Sequence, residues 1–510
     1  MERFLTRHSG RIAGMLSGFD RLVFRGTLRS ISFTAGMDKF LGSQGVWYTG
    51  YAAFGERITA RVRAHAETIA QETGRPLEYL ASAKISKEQR AREIAARDGI
   101  TTGLICIFSC VEPCWTFTVR GDRRTKRLRL QAGERRCIYL YFYLLDPDLG
   151  LVHVRIQTWL PLTIQVWVNG RHWLARRLDA AAIGYAQTDN AFTAIADLPA
   201  AQRLSDGCAT WPWRQRLDAF AAWVNPWLSG PEALFRGYYW SVRESEYATD
   251  VVFARETDLR DLYPRLLHHA LTALSPADIL RFLGRQQPGR FIGAARTTLS
   301  HRDEGCRVRH WIDENSLKMY NKAPTLLRVE CTLNNPDRFK VYRRRPCDGR
   351  RDWLPLRRGL ADLGRRAVIG RTANLRYLEA LSVVGDATPS HRLLDPVSQR
   401  VTHHGRAYRA LRPISPQEAP LWQTILRGEF HLQGFTNYDV RQHLPTPTPN
   451  DPLAERRYSA RVTRWLALLR AHGLLTKIPK THRYQLTYRG STVLTTALRF
   501  RETDIALLAA

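Results

Sequence analysis

The sequence predicts an α+β, multidomain protein whose body is an antiparallel sheet with helical insertions. Several segments alternate between apolar and polar residues, which is typical of strands. Other segments repeat apolar residues every three or four positions, which is typical of amphipathic helices. The chain has 510 residues and a hydrophobic content of 44%, so it is long and apolar enough for about two to four domains with ordinary cores.

We expect the chain to divide into regions with different patterns. In chain order they are an N-terminal α+β domain at 1–183, a helical region at 184–300, an antiparallel β meander completing the core at 301–356, a basic helical connector at 357–414 and a C-terminal domain at 415–510. No internal repeat relates these regions to one another.

The N-terminal domain begins with recognisable local patterns. The segment 17–30 carries Asp20 among apolar residues and is predicted to be a strand. Apolar residues along one face predict a helix at about 52–74. Ser86 and Gln89 form a capping-box pattern that predicts the start of another helix.

The clearest α+β unit of this domain is at 137–182. Two apolar runs flank a turn and predict a hairpin, and a third strand and a helix follow. On the second strand, His153, Arg155 and Gln157 share one face. We expect this polar sheet face to be able to meet phosphates or bases.

The region at 184–300 is predicted to be mostly helical. Within it, Glu246 and Asp250 are four residues apart, which places them close together on a helix. Paired carboxylates of this kind either hold a metal ion for phosphoryl chemistry or pair with the nearby Arg243 and Arg255.

The stretch at 306–345 is predicted to form a three-stranded antiparallel meander with one apolar face. Its other face carries cations around one phenol and one carboxylate, which suits either a phosphate-handling surface or a solvated face with cross-strand ion pairs. The residues of this polar face are Arg307, Arg309, Lys318, Tyr320, Lys322, Arg328 and Glu330, and Arg343, Arg344 and Arg345 form a cationic group at the end of the following strand.

The C-terminal domain has the most specific local pattern. A long basic helix at about 357–382 is expected to connect it to the body of the protein. Helices are then predicted at 419–427, after Thr436 and at about 452–471. A hairpin follows, and a last helix begins near Arg489.

This pattern reads RWLALLRAHGLLTKI…RYQLTYRG and resembles the winged-helix family. The resemblance implies that the third helix enters the major groove of DNA and that the hairpin, or wing, lies on the backbone. It assigns DNA contacts to Arg457, Arg461, Arg464 and Arg470 of the helix and to Lys477, Lys480, His482 and Arg483 of the wing. Members of this family also bind RNA or other proteins.

The central block LKMYNK…LLRVECTL resembles the rolling-circle replication initiators of phages and plasmids, which are mobile-element proteins. In that class a tyrosine attacks a DNA phosphate and becomes covalently linked to the strand. The resemblance assigns the nucleophile to Tyr320. Lys318 and Lys322 would favour its phenolate, and Glu330 would bind a metal ion or accept the proton.

The same resemblance implies Mg²⁺ or Mn²⁺ as cofactor. His153-Val154-Arg155 is similar to the His-hydrophobic-His pair of single-strand-nicking endonucleases, although arginine replaces the second histidine. The candidate metal ligands are therefore His153, Glu246, Asp250 and Glu330.

The composition excludes several classes of protein. The net charge is +30 and the cations are spread along the chain, so we expect a folded protein with a nucleic-acid partner, either DNA or RNA. No apolar run approaches the ~20 residues that span a bilayer, and the N-terminus lacks the apolar core of a secretion signal. The eight cysteines are scattered without a CxxC motif, which favours reduced thiols in the cytoplasm.

Two functions follow from these patterns. The first is a DNA-nicking or strand-transfer enzyme of a mobile element, similar to a replication initiator or transposase, with Tyr320 as the nucleophile. The second is a non-catalytic RNA- or DNA-binding protein that holds a structured nucleic acid in a ribonucleoprotein complex. A covalent adduct that Tyr320→Phe abolishes would distinguish the first from the second.

Overall fold

The computed structural model shows a mixed α/β protein in which 42% of residues are helical and 33% lie in strands. An eleven-stranded, mostly antiparallel sheet forms its body. The residues that the structure describes are 2–81, 85–122, 124, 126–284, 295–302, 305–337, 339–345, 347–384, 390–427, 430, 434–444, 452–479 and 481–503.

The described part of the chain has nineteen strands, and eleven of them, some far apart in the sequence, form the large sheet. The strands are β1 (Ile12–Thr27), β2 (Leu77–Tyr79), β3 (Gly103–Asp122), β4 (Arg127–Asp146), β5 (Gly150–Gln157), β6 (Ile164–Asn169), β7 (Tyr185–Thr188), β8 (Ala191–Ile195), β9 (Tyr239–Phe253), β10 (Ala295–Arg302), β11 (Gly305–Ile312), β12 (Asn315–Ala323), β13 (Leu326–Leu333), β14 (Lys340–Arg344), β15 (Arg351–Pro355), β16 (Val401–His403), β17 (Arg406–Tyr408), β18 (Leu475–Lys477) and β19 (Tyr484–Leu486). The spatial order in the large sheet is β10-β11-β12-β13-β9-β1-β6-β5-β4-β3-β2. Among its described strands, only β2 and β3 pair in parallel. The other strands pair as the hairpins β7–β8, β14–β15, β16–β17 and β18–β19.

Helices pack against this sheet and form most of the C-terminal part. They are α1 (Glu2–Arg7), α2 (Thr34–Ser43), α3 (Tyr51–Thr73), α4 (Lys87–Arg97), α5 (Gly170–Ala180), α6 (Leu198–Gly207), α7 (Trp213–Val224), α8 (Glu256–Thr272), α9 (Pro276–Leu283), α10 (Leu363–Leu381), α11 (His391–Leu394), α12 (Ala419–Ile425), α13 (Asn437–Arg441), α14 (Pro452–Ala471) and α15 (Tyr488–Glu502). Among the described helices, none combines the length and the apolar character that crossing a bilayer requires.

The elements with the strongest periodicity are confirmed. The helix expected at 52–74 is α3, whose apolar face is buried. Ser86 accepts the N–H of Gln89 at 3.3 Å and begins α4 as predicted. The predicted meander is β11–β12–β13, and its alternating apolar residues form part of a buried core.

The prediction of a mostly helical region at 184–300 is wrong for its middle. Residues 239–253 form the long strand β9, which lies between β1 and β13 at the centre of the sheet. Glu246 and Asp250 share a face in either conformation, because residues four apart also coincide at the strand period of two. Their spacing therefore did not distinguish a helix from a strand.

Helix α10, which lies in the region predicted to be a basic helical connector at 357–414, packs into the core. Its Ile369 and Tyr377 are buried in the cluster that packs under β9–β13. Gly370 allows this close approach, because a Cβ atom there would lie 2.5 Å from Cβ of Tyr247 on β9. The helix thus fixes the strand that carries Glu246 and Asp250.

The C-terminal part has its own buried cluster, formed by α12 to α15 and the hairpin β18–β19. Thr436 and Asp439 form a complete capping box at the start of α13. The side-chain amide of Asn437 donates to the Ser459 carbonyl at 2.9 Å and to Thr463 Oγ1 at 2.8 Å, which joins α13 to α14. The helix expected at about 452–471 is confirmed as α14.

Candidate functional site

The polar face of the meander is buried, not solvated. Lys318 on β12 and Arg328 and Glu330 on β13 are at most 6% exposed. The turn between β7 and β8 covers this face, and its Asp189 pairs with Lys322 at 3.1 Å. Buried charges are costly to desolvate unless they are paired, so their partners determine what the site can do.

Arg328 lies at the centre of this charge cluster. Its guanidinium group donates to both carboxylate oxygens of Asp250, at 2.6 and 2.9 Å, and to Asp20 at 3.1 Å. It also donates to the backbone carbonyl of Asn190 at 2.7 Å. Burial alone would raise the pKa of Asp250, but Arg171, 2.9 Å away, and Arg328 hold that pKa below its ordinary value.

Three carboxylates form the second half of the cluster. Asp20, Glu246 and Glu330 are buried, and one oxygen from each lies within 4.8 Å of the others. The Lys318 ammonium is 2.5 Å from Glu330 Oε1 and 3.4 Å from Glu246 Oε1. Arg21 pairs with the other oxygen of Glu246 at 2.9 Å. Burial raises the pKa of both Asp20 and Glu330.

The predicted metal set does not come together as a metal site. Asp250 gives both oxygens to Arg328, and His153 is not part of the carboxylate group. Glu246 and Glu330 do lie close together, and Asp20 is the third carboxylate of the group. Carboxylate oxygens are ligands that suit Mg²⁺ or Mn²⁺. The Lys318 ammonium, however, already supplies the positive charge between them. The arrangement therefore does not fit a divalent ion while Lys318 holds this position.

A substitution of Lys318 tests this conclusion. We expect Mn²⁺ to leave the melting temperature of the wild-type protein unchanged and to raise that of Lys318→Ala, because the freed carboxylates then need a cation. The measurement is a thermal melt with and without Mn²⁺, with the exposed Lys39→Ala as the control. A wild-type protein that Mn²⁺ stabilises, with the effect lost in Glu330→Gln, would contradict our interpretation.

Tyr320 is a hydrogen-bond donor in this cluster. The side chain is 9% exposed, and its hydroxyl donates to Glu330 Oε2 at 3.1 Å. Burial and the negative charge of Glu330 raise the pKa of Tyr320 well above its ordinary value. The argument that Lys318 and Lys322 would favour the phenolate is therefore wrong, because both ammonium groups are held by carboxylates.

The cations predicted on the sheet faces are also engaged within the protein. Arg155 pairs with Glu112 at 2.6 Å and lies 3.7 Å from the ring centroid of Tyr139. Arg309 donates to Ser316 Oγ at 3.0 Å. Arg307 is half-buried, and Arg328 is fully buried, so Arg328 is excluded from contact with a polyphosphate chain in this conformation.

The cationic group at 343–345 is divided between paired and exposed side chains. Arg343 pairs with Asp362 at 3.6 Å, and Arg345 pairs with Asp348 at 3.4 Å. Arg344 is exposed on β14. Arg344 and part of Arg345, whose side chain is 39% exposed, are therefore presented to solvent, whereas Arg343 is not.

The cations predicted in the C-terminal part are mostly exposed. Arg457, Arg461 and Arg464 lie along the solvent side of α14, and Lys477 and His482 are exposed on the hairpin. Arg470 is half-buried. Arg483 donates to the Gly434 carbonyl at 2.6 Å and lies 4.2 Å from the ring centroid of Tyr342, whereas Lys480 falls outside the described residues.

A pocket of about 290 Å³ opens beside the charge cluster, and Asp20 and Arg21 belong to both. Tyr143, His153 and Trp167 lie on neighbouring strands in direct register along one wall. The His153 ring centroid is 4.9 Å from that of Tyr143 and 5.2 Å from that of Trp167. Burial lowers the pKa of His153 to about 3, so this wall is uncharged at neutral pH.

The His153 pKa predicts a pH-dependent loss of stability. Between about pH 6.5 and pH 3 the unfolded chain binds a proton at His153 that the folded protein does not, so folding free energy is lost as the pH falls. His153→Phe keeps a ring between its neighbours and should make this loss less steep. The measurement is urea unfolding at a series of pH values. An unchanged slope, equal to that of the exposed His301→Phe, would contradict the prediction.

The sequence missed several residues of this site. Arg171, at the start of α5, and Asn190, in the β7–β8 turn, carry no local signal for their roles. Asp20 does carry one, because an acidic residue inside an apolar strand needs a buried partner. That signal does not show that the partner would be Arg328, more than 300 residues further along the chain.

Comparisons with protein-family models, with curated proteins and with solved structures found no match to this chain.

Proposed function

We propose that the protein binds double-stranded DNA through a C-terminal winged helix, with α14 as the recognition helix and β18–β19 as the wing. The observation that carries the proposal is the row formed by Arg457, Arg461 and Arg464. These side chains are exposed, and within the described part of the chain none of them forms an ion pair. Their spacing of four and three residues places them on one face of α14.

The surroundings of α14 support this use of its exposed face. Its other face is buried through Val462, Leu466 and Leu469, so the arginine row cannot turn inward without unpacking the helix. An α-helix fits the major groove of B-DNA, and arginine binds both phosphates and guanine. Lys477 on the adjacent hairpin adds positive charge where a wing would meet the backbone, and the exposed His482 lies on the same hairpin.

The distribution of charge supports a polyanionic partner. The cations of the central cluster, which are Arg21, Arg171, Lys318 and Arg328, are matched by the carboxylates Asp20, Glu246, Asp250 and Glu330. The cluster therefore contributes none of the net charge of +30. The excess lies on other surfaces, where it increases the rate of association with DNA.

The proposal does not include strand cleavage by Tyr320. A protonated phenol that donates to a buried carboxylate is a poor nucleophile, and the carboxylates near it are neutralised by Lys318 and Arg21. Binding without a covalent step is the function that this geometry favours. The predicted role of the protein in a mobile genetic element rests only on the sequence resemblance.

Binding titrations test the proposal. Fluorescence anisotropy of labelled duplex DNA, single-stranded DNA and RNA of the same sequence should show the tightest binding for the duplex. If the arginine row makes three phosphate contacts, affinity should fall about fortyfold between 50 and 200 mM salt. Tighter binding of RNA would favour the ribonucleoprotein function. A covalent adduct with single-stranded DNA and Mn²⁺, lost in Tyr320→Phe, would instead support nicking.

A further inference from the structure

The pocket beside the charge cluster has one aromatic wall that no function described so far uses. Tyr143, His153 and Trp167 stack side by side across β4, β5 and β6, with angles of 33° and 23° between successive ring planes. Because the rings stack on one another, they present their edges to the pocket. Ring edges are positively polarised and favour contact with the face of another π system.

The charged groups that line this pocket are already paired. Asp20 is held by Arg328, and Asp189 is held by Lys322. Glu88 pairs with Arg92 at 2.8 Å across one turn of α4, where both side chains are about half exposed at the rim. Arg21 pairs with Glu246 at 2.9 Å. Among the described residues that line the pocket, no unbalanced charge therefore faces its interior, so the pocket does not favour a phosphate or a free cation.

One polar atom in this pocket lacks a partner. The Asn190 side-chain amide donates to both oxygens of Asp20 at 3.0 Å, which fixes its orientation. Its Oδ1 atom is buried and accepts no hydrogen bond from the described residues. This oxygen has almost no accessible surface, so Asn190 is a fixed part of the pocket lining and a ligand does not bond to its Oδ1 atom.

We infer that this pocket binds a single unpaired nucleobase, with the π face of the base on the Tyr143–His153–Trp167 wall. A nucleobase is planar, aromatic and uncharged, which matches the aromatic wall and the paired charges of the pocket. The volume of about 290 Å³ lies at the small end of ligand pockets and suits one nucleoside rather than a duplex.

This inference rests on the proposed function, because the base would belong to the bound nucleic acid. An unpaired or flipped-out base enters the pocket while its phosphates stay at the rim near Arg92. Bases that are already unpaired avoid the free-energy cost of unstacking, so the pocket would favour strand ends, gaps or mismatches over intact duplex.

Free nucleosides test the pocket separately from the DNA-binding surface. Calorimetric titration of the full chain should show binding of adenosine and of adenosine 5′-monophosphate with similar affinity, and no binding of ribose 5-phosphate. Trp167→Ala should weaken adenosine binding about tenfold or more. A tenfold loss is at the lower part of the range for removing an aromatic side chain that contacts a base. Trp47→Ala is the matched control, because Trp47 is 83% exposed and does not line the pocket.

The outcomes separate this inference from the proposed function. If wild-type protein binds adenosine no better than ribose 5-phosphate, or if Trp167→Ala and Trp47→Ala bind it equally, the base pocket is wrong. Unchanged duplex affinity in the same variants would leave the proposed function intact. If Trp167→Ala fails to fold, photocrosslinking of 8-azidoadenosine to the wild-type protein replaces this test. Labelled peptides from β4, β5 and β6, which carry the three rings, would support the base pocket, and labelling confined to other segments would contradict it.

Discussion

Replacing Arg328 with methionine is expected to lower the free energy of unfolding of the sheet body by about 3–5 kcal/mol. The side chain is 0% exposed and holds Asp20 and Asp250 together. Without it, both carboxylates stay buried with fewer partners, and desolvated charges of this kind are strongly unfavourable. The measurement is urea unfolding followed by tryptophan fluorescence, with thermal melting as a second probe.

Two further variants identify the cause of this loss. Arg344→Met removes an exposed arginine from the separate β14–β15 hairpin and should change the free energy of unfolding by no more than about 0.5 kcal/mol. Adding Asp250→Asn to Arg328→Met should restore part of the lost stability, because it removes one of the unpaired charges. A loss in Arg328→Met as small as that in Arg344→Met would show that the cluster is not a tightly coupled unit.

Replacing Arg457, Arg461 and Arg464 together with alanine is expected to weaken duplex DNA binding about thousandfold at low salt. Each lost charge-assisted contact to DNA accounts for about a tenfold change. The slope of log affinity against log salt concentration should become shallower by about 2.7, because three phosphate contacts disappear. Alanine preserves the helix, so the melting temperature should not fall. The measurement is fluorescence anisotropy over a salt series.

A matched variant separates this effect from the change in net charge. Arg120, Arg129 and Arg136 are exposed on the long β3–β4 hairpin, so their triple alanine substitution removes the same charge from another surface. We expect this control to weaken binding less than tenfold, with nearly the wild-type salt slope. Equal losses in the two triple variants would show that binding depends on overall charge and not on α14.

The local elements were predictable because local periodicity determines them. The meander, α3 and α14 each carry a repeated apolar pattern over many residues, and tertiary contacts reinforce this pattern. The helix caps at Ser86 and Thr436 were also predictable, because each depends only on residues within one turn of the helix.

The candidate site depended on contacts that no local pattern encodes. The alternation in β12 and β13 correctly placed Lys318, Tyr320, Arg328 and Glu330 on one face. It could not show that the β7–β8 turn would cover that face. Burial changes what this face can bind. A solvated cationic face binds phosphates, whereas a covered face must neutralise its charges with carboxylates of the same protein.

The charge cluster has a structural role that follows from its position. It joins β1, β9, β12 and β13 to α5 and to the β7–β8 turn through paired, buried groups. Buried ion pairs often add little net stability compared with apolar residues, so we infer that the cluster fixes the relative positions of these elements rather than strengthening the fold. Asp20 and Asn190 are thereby held in place at the floor of the neighbouring pocket.

Hydrogen exchange of the full chain, measured by mass spectrometry with and without duplex DNA, tests the central claim most directly. We expect DNA to slow exchange in peptides that cover α14 and the β18–β19 hairpin, with little change in the meander at 306–333. Protection confined to the sheet body, with none in 452–486, would contradict the assignment of the DNA-binding surface to α14.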